Sequence, residues 1–178
     1  MVLFERKQSG QNNGLITHHS KYYKETFDEA LKLTSHLKEP IIDLFARDCQ
    51  WADITNDIDP NTKAKFHLDA LDFIQCQKSN SSRMILFDPP FSPIQAERYE
   101  AGDTNLYASG PAKISKIYKN TFRVLVPGGV FVKLGYNSTR PHKGFKLHSL
   151  KVVNFGGSRN DVIVSIWVKI QKTLGDFS

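Results

Sequence analysis

Three short strand candidates in the first half of this chain run into an aspartate. Residues 52–58 carry Asp57 near their end, 66–68 stop at Asp69, and Met84-Ile85-Leu86-Phe87 stops at Asp88. A fourth stretch, Ile41-Ile42-Asp43-Leu44-Phe45-Ala46, has Asp43 inside it. The runs at 41–46 and 84–87, mostly apolar, read as strands covered on both faces. Acids gathered at one edge of such a sheet are costly unless they bind something. Open α/β sheets take their ligands beyond the carboxyl ends of the strands. The acidic edge is where a site is expected.

Helical patterns separate these runs. Tyr23, Phe27, Ala30 and Leu31 share one helical face, with Thr17 or Ser20 as its cap and Pro40 as its stop. A short helix is expected over 63–66, another over 70–77 with Asp69 or Asp72 at its start, and a third over 114–125. Pro127-Gly128-Gly129 ends that third helix, and residues 130–134 follow as a strand. Two β-rich runs, 147–155 and 162–170, joined by a Gly/Asn/Asp turn, read as an antiparallel hairpin. Residues 1–15, polar and rich in Gly, Asn and Gln, read as a flexible tail. The fold class is α/β: a mostly parallel sheet closed by an antiparallel hairpin. A chain of 178 residues, 40% hydrophobic and 24% charged, suits a single domain over 1–178. No apolar run approaches the roughly 18 residues of a membrane span. The N-terminus has no secretory pattern, and the two cysteines, read as small buried residues, suit a reducing compartment. A cytoplasmic or nucleoid-associated protein is expected. The net charge of +6 permits an anionic partner.

The most informative segment is Asp88-Pro89-Pro90-Phe91, directly after an apolar strand. Two prolines stiffen the backbone and remove donors, which holds a carboxylate still and leaves carbonyls free to accept. An aromatic side chain immediately after can lie flat on a planar ring. This combination suits an exocyclic amine attacking an electrophilic methyl. The Asp88 carboxylate and the Pro89 carbonyl accept the two amine hydrogens while Phe91 fixes the plane of the base. A strand ending in a plain proline turn is the structural alternative.

Asp88-Pro89-Pro90-Phe91 resembles the catalytic motif of S-adenosylmethionine-dependent amino methyltransferases, in particular the adenine-N6 DNA methyltransferases. The order of the remaining motifs, over roughly residues 40–172, is similar to the class I methyltransferase fold, a Rossmann-like sheet of about seven strands. Asp43, Phe45, Ala46 and Arg47 stand where that family has its cofactor motif. Asp57, or failing that Asp59, stands where a carboxylate takes the cofactor ribose. Asp69 and Ala70 stand where an aspartate accepts from the cofactor adenine. The resemblance implies S-adenosylmethionine as cofactor, direct in-line methyl transfer without metal, and adenine in DNA as acceptor. RNA adenine and a protein glutamine amide are the alternatives. The glutamine enzymes usually carry Asn where this chain has Asp88.

Two departures stand out. The family's first motif is glycine-rich, whereas Ala46-Arg47-Asp48-Cys49 has no glycine. Asp57 also follows Asp43 by only 14 residues, too few for the usual crossover helix. A non-catalytic binding protein on a methyltransferase scaffold is the reading these departures favour, while Arg47 offers a fork for the cofactor's carboxylate. Thr17-His18-His19-Ser20 lies where some amino methyltransferases contact the methionine moiety. Expected nucleic-acid contacts are Gln95, Arg98 and Tyr99 in the long loop after Phe91. Asn137, Arg140 and Lys143 add to them from a basic loop expected at the same edge as Asp88. No separate recognition domain fits in this length, so sequence preference would come from a partner or a second subunit. The pared-down motifs suit a viral or mobile element.

Overall fold

In the computed structural model, which describes residues 2–6, 21–90, 110–154 and 161–170, the apolar runs assemble into one sheet. Its strands are β1 (Val2–Arg6), β2 (Ile41–Asp43), β3 (Ile54–Thr55), β4 (Ser82–Phe87), β5 (Leu125–Gly135), β6 (Phe145–Asn154) and β7 (Val162–Lys169). The helices are α1 (Lys21–Leu33), α2 (Ala70–Cys76) and α3 (Gly110–Val124). The strand order is β1-β6-β7-β5-β4-β2-β3. β7 runs antiparallel to both β5 and β6, and the other strand pairs are parallel.

Strand alternation divides the core in two. Ile41, Met84, Leu86, Val130, Val132 and Leu134 face α1, where Tyr23, Phe27 and Ala30 cover them. Ile42, Ile85, Phe87, Phe131 and Trp167 face the other way, toward Phe73 and Ile74 of α2 and Ile117 of α3. Both faces are thus covered, which is why these strands carry continuous apolar runs. Loss of a side chain such as Phe131, fully buried, would cost about 3–5 kcal/mol.

Several boundaries differ from expectation. Val2–Arg6, read as tail, pairs in parallel with β6 at the sheet's edge. Residues 63–66 form bends and no helix, and the expected third strand is a single bridge between Asn56 and Phe66. The second strand shrinks to Ile54–Thr55. Pro127-Gly128-Gly129 does not precede the fifth strand but lies inside it, where Gly128 takes φ +79° and the pairing with β4 shifts register. Only glycine adopts that conformation freely, so the Pro-Gly-Gly signal marks an irregularity and not a boundary. Cys76, read as buried, is exposed.

The link from β2 to β3 has no helix, as its length requires. Its place over the sheet is taken by Trp51 and Ala52, packed into the α1 side of the core. The Trp51 ring lies 5.8 Å from Tyr23 and 5.1 Å from Phe27, centroid to centroid. One tryptophan from the β2–β3 link, packed against α1, thus covers part of the surface that a crossover helix would bury.

Candidate active site

The carboxyl ends of β2 and β4 meet at one place. Asp43 ends β2, where an interior position was expected, and it is fully buried. It pairs with Leu86 in the parallel register, and the N–H of Leu44 donates to Leu86 O at 3.2 Å. Asp88 and the chain after Asp43 therefore leave the sheet side by side. Asp43 Oδ1 accepts from the N–H of Phe45 at 3.0 Å, which starts the turn. Asp88 is half-buried and Pro89 buried. Burial pushes the Tyr23 phenol well above its ordinary value, and the nearby Asp43, Asp88 and Cys49 raise it further. The Cys49 thiol rises to about 11, first through burial and then through the same two carboxylates. Both acids thus lie close to one tyrosine from α1 and one cysteine too basic to act as a thiolate.

The loop after β2 is built around Arg47, which adopts φ +47°. Its backbone N–H donates to Asp57 Oδ2 at 2.9 Å, while Asp57 Oδ1 accepts from the N–H of Asp59 at 3.0 Å. A left-handed residue here is the turn a glycine makes easily, so the glycine-free sequence keeps the conformation at a strain of about 1–3 kcal/mol. Burial raises the Asp57 carboxyl above its ordinary value, against the two backbone hydrogen bonds and the Arg47 charge, which lower it. Asp57 is accordingly a clamp between the loop and the end of β3. Each of its oxygens keeps acceptor capacity for a further donor.

Asn56, which the sequence reading passed over, joins the same loop to the chain beyond it. It is fully buried; its amide donates to Leu44 O at 3.3 Å and Leu68 O at 3.0 Å, and its Oδ1 accepts from the N–H of Leu68 at 3.1 Å. Those bonds hold the 66–68 segment where the sheet has only one bridge. The signal for it was slight: an amide beside an acid at the end of an apolar run. Asp59 turns the chain, its Oδ1 accepting from Asn61. Asp69 caps α2 through the N–H of Leu71 at 2.9 Å and pairs with Lys113 of α3 at 2.7 Å. Ala70 is buried as the first residue of α2.

The segment after β5 begins beside Asp88 but does not stay there. Lys133 Nζ holds Asn137 and Thr139 near the carboxyl end of β5. The chain then passes His142, stacked on Phe122 of α3 at 4.1 Å between ring centroids. A Cβ on Gly144 would lie 2.4 Å from the Phe122 ring, so only glycine fits as the chain passes. Phe145 pairs with Lys169, and Lys169 Nζ reaches Leu125 O at the start of β5. Asn137 therefore sits near the acidic edge and Lys143 near the opposite one, with exposed Arg140 between them in sequence. The expectation of one loop at one edge is corrected by this descent. Phe91, Gln95, Arg98, Tyr99 and Thr17-His18-His19-Ser20 lie outside the described residues. Among the described residues, no cluster of three or more His, Cys, Asp or Glu is placed to hold a metal ion, and no helix is long and apolar enough to cross a membrane.

No protein-family model matches the chain, and no curated protein does. A solved structure does. It is titled "Putative methyltransferase yhhF from Escherichia coli", with a TM-score of 0.53 at 14% identity, over 86% of this chain and 89% of that one. The likeness is one of fold.

Proposed function

We propose that this chain is an S-adenosylmethionine-dependent amino methyltransferase whose acceptor is the exocyclic N6 amine of adenine in DNA. One observation carries the reading: Asp88-Pro89-Pro90 leaves the interior strand β4 directly beside the buried Asp43 and the loop that follows it. The fold likeness to a protein titled a methyltransferase supports it.

The residues at this edge fit the cofactor. Arg47 supplies the left-handed turn, and Asp57 keeps acceptor capacity on both oxygens. Asp57 or Asp59 would take the ribose hydroxyls, Asp69 and Ala70 would border the adenine, and Arg47 would meet the carboxylate. Phe45 and Ala46 complete the turn between them. When bound, S-adenosylmethionine supplies an electrophilic methyl group. The protein's part is to aim the amine. Asp88 and the carbonyl of Pro89 accept hydrogen bonds from its two N–H groups, which turns the nitrogen lone pair toward the methyl. Phe91 holds the base plane. In duplex DNA the base must first leave the stack.

Calorimetry with S-adenosylmethionine, followed by labelled methyl transfer to unmethylated DNA, RNA and protein, tests this reading. Cofactor binding with transfer to DNA adenine is the expected result. Transfer to RNA or to a glutamine amide would change the acceptor, and no cofactor binding at millimolar concentration would leave only a binding scaffold.

A further inference from the structure

Lys133 is buried in the sheet at 2% exposure, opposite Phe87 in the β4–β5 pairing, so it lies one residue short of Asp88. Its ammonium faces the Tyr118 ring of α3 at 5.6 Å. It donates to Asn137 O at 3.2 Å, Asn137 Oδ1 at 3.1 Å and Thr139 O at 3.1 Å. Asn137 Oδ1 also accepts from the N–H of Thr139 at 3.2 Å. A buried ammonium is expensive and persists only when its hydrogens are taken up. Here three acceptors come from a single turn that is otherwise exposed, so a group in the protein interior fixes a turn on its surface.

Tyr136 begins that turn, 43% exposed. Four other large apolar side chains are comparably exposed among the described residues. Phe66 and Leu68 flank the outer strand β3, while Leu147 and Ile170 lie near the start of β6 and the end of β7. Tyr136 alone among these five directly follows β5 at the edge where Asp88 emerges.

We propose that Tyr136 is a stacking platform for an unpaired base of the nucleic-acid acceptor, and that Lys133 is the positioning residue that holds it. The proposal rests on the nucleobase reading of the site and adds to it a contact outside the Asp-Pro-Pro-Phe motif. A ring on a pre-ordered turn loses little freedom on stacking, and stacking accepts any base because every base has a π face.

The test is the affinity of the full chain for a fluorescein-labelled single-stranded oligodeoxyadenylate, read by anisotropy. Tyr136→Ala should weaken it about 5- to 100-fold, the range of one lost stacked base. Tyr136→Phe should bind like wild type, since stacking needs the ring and not the hydroxyl. Lys133→Met should raise the acceptor KM while kcat and the calorimetric affinity for S-adenosylmethionine stay unchanged. Tyr136→Ala, at an exposed position, carries the test even where Lys133→Met does not fold. If Tyr136→Ala binds the oligonucleotide as tightly as wild type does, the proposal fails and the methyl-transfer reading stands. A wild-type chain that binds S-adenosylmethionine but no oligonucleotide overturns the nucleobase reading, and this proposal with it.

Discussion

The backbone N–H of Arg47 donates to the carboxylate of Asp57 at 2.9 Å, and Arg47 itself is held at φ +47°. A residue in the first loop and an acid at the end of the second strand thus form one unit, and a left-handed turn that glycine makes easily is made here without one. Arg47→Gly removes the side chain without disturbing that turn. Stability should stay within about 1 kcal/mol of wild type by chemical denaturation, whereas Arg47→Val should destabilise, because a β-branched residue resists positive φ. If the guanidinium holds the cofactor carboxylate, Arg47→Gly should also weaken S-adenosylmethionine about ten-fold or more by calorimetry. Unchanged affinity removes that role and leaves Arg47 a backbone element only.

Asp57 gives a pH signature. Its folded carboxyl sits above the ordinary value of 3.8 because burial outweighs its two hydrogen bonds. The folded state therefore binds more protons than the unfolded one in the window just above 3.8, and Asp57's contribution to stability falls as pH rises through it. Subtracting the pH–stability curve of Asp57→Asn from that of wild type should reveal this fall. A difference that rises through the same window would contradict the burial argument.

Lys133 has a signature of the opposite sign, at high pH. Burial lowers its folded value from 10.5 to about 8, so between these two the unfolded chain carries more protons. Stability should rise across that window, by up to about 3 kcal/mol from this group. The rise should be absent in Lys133→Met, and its survival there would assign it to another group.

The α2–α3 contact is held at both ends by side chains of α3. Lys113 pairs with the cap residue Asp69, and Arg123 donates to Ile74 O at 3.0 Å, Gln75 O at 3.2 Å and Gln77 O at 2.7 Å. Arg123→Ala should cost about 1–3 kcal/mol of stability by denaturant titration. Arg123→Lys should not restore it, because one ammonium cannot reproduce the guanidinium fork. An alanine variant as stable as wild type would show these carbonyls to be equally well served by water.

What the sequence revealed follows from what each signal depends on. β4 was legible because four successive apolar residues before Asp-Pro-Pro leave little choice, and α1 because Tyr23, Phe27 and Ala30 lie on one face. The missing crossover helix was legible from chain length alone. β1 was not, because its pairing with β6 is made by backbone groups across nearly the whole chain, and nothing local in Val2–Arg6 announces it. The third strand failed for the opposite reason: Phe66-His67-Leu68 has the right pattern, yet Asn56 side-chain bonds hold it where ladder pairing would. At the site, the acids were found by type, but their bonding was not. Asp69 at the start of α2 is the exception, a cap legible from its position, whereas its ion pair with Lys113 and the Asp57 clamp on Arg47 need partners that no sequence spacing specifies. Lys133 falls inside the strand expected over 130–134, and nothing local marks it as a buried ammonium. Its burial follows from packing against Tyr118 of α3, a contact between helix and sheet that no sequence spacing specifies.

The central claim is that Asp88 accepts a hydrogen bond from the acceptor amine and has no part in holding the cofactor. The direct measurement is single-turnover transfer of labelled methyl from S-adenosylmethionine to an adenine-containing oligonucleotide, made alongside calorimetric cofactor affinity, for wild type and Asp88→Ala. The account predicts that transfer falls by about 100-fold or more in the variant while cofactor affinity is unchanged. Transfer that persists in Asp88→Ala at the wild-type rate would contradict it.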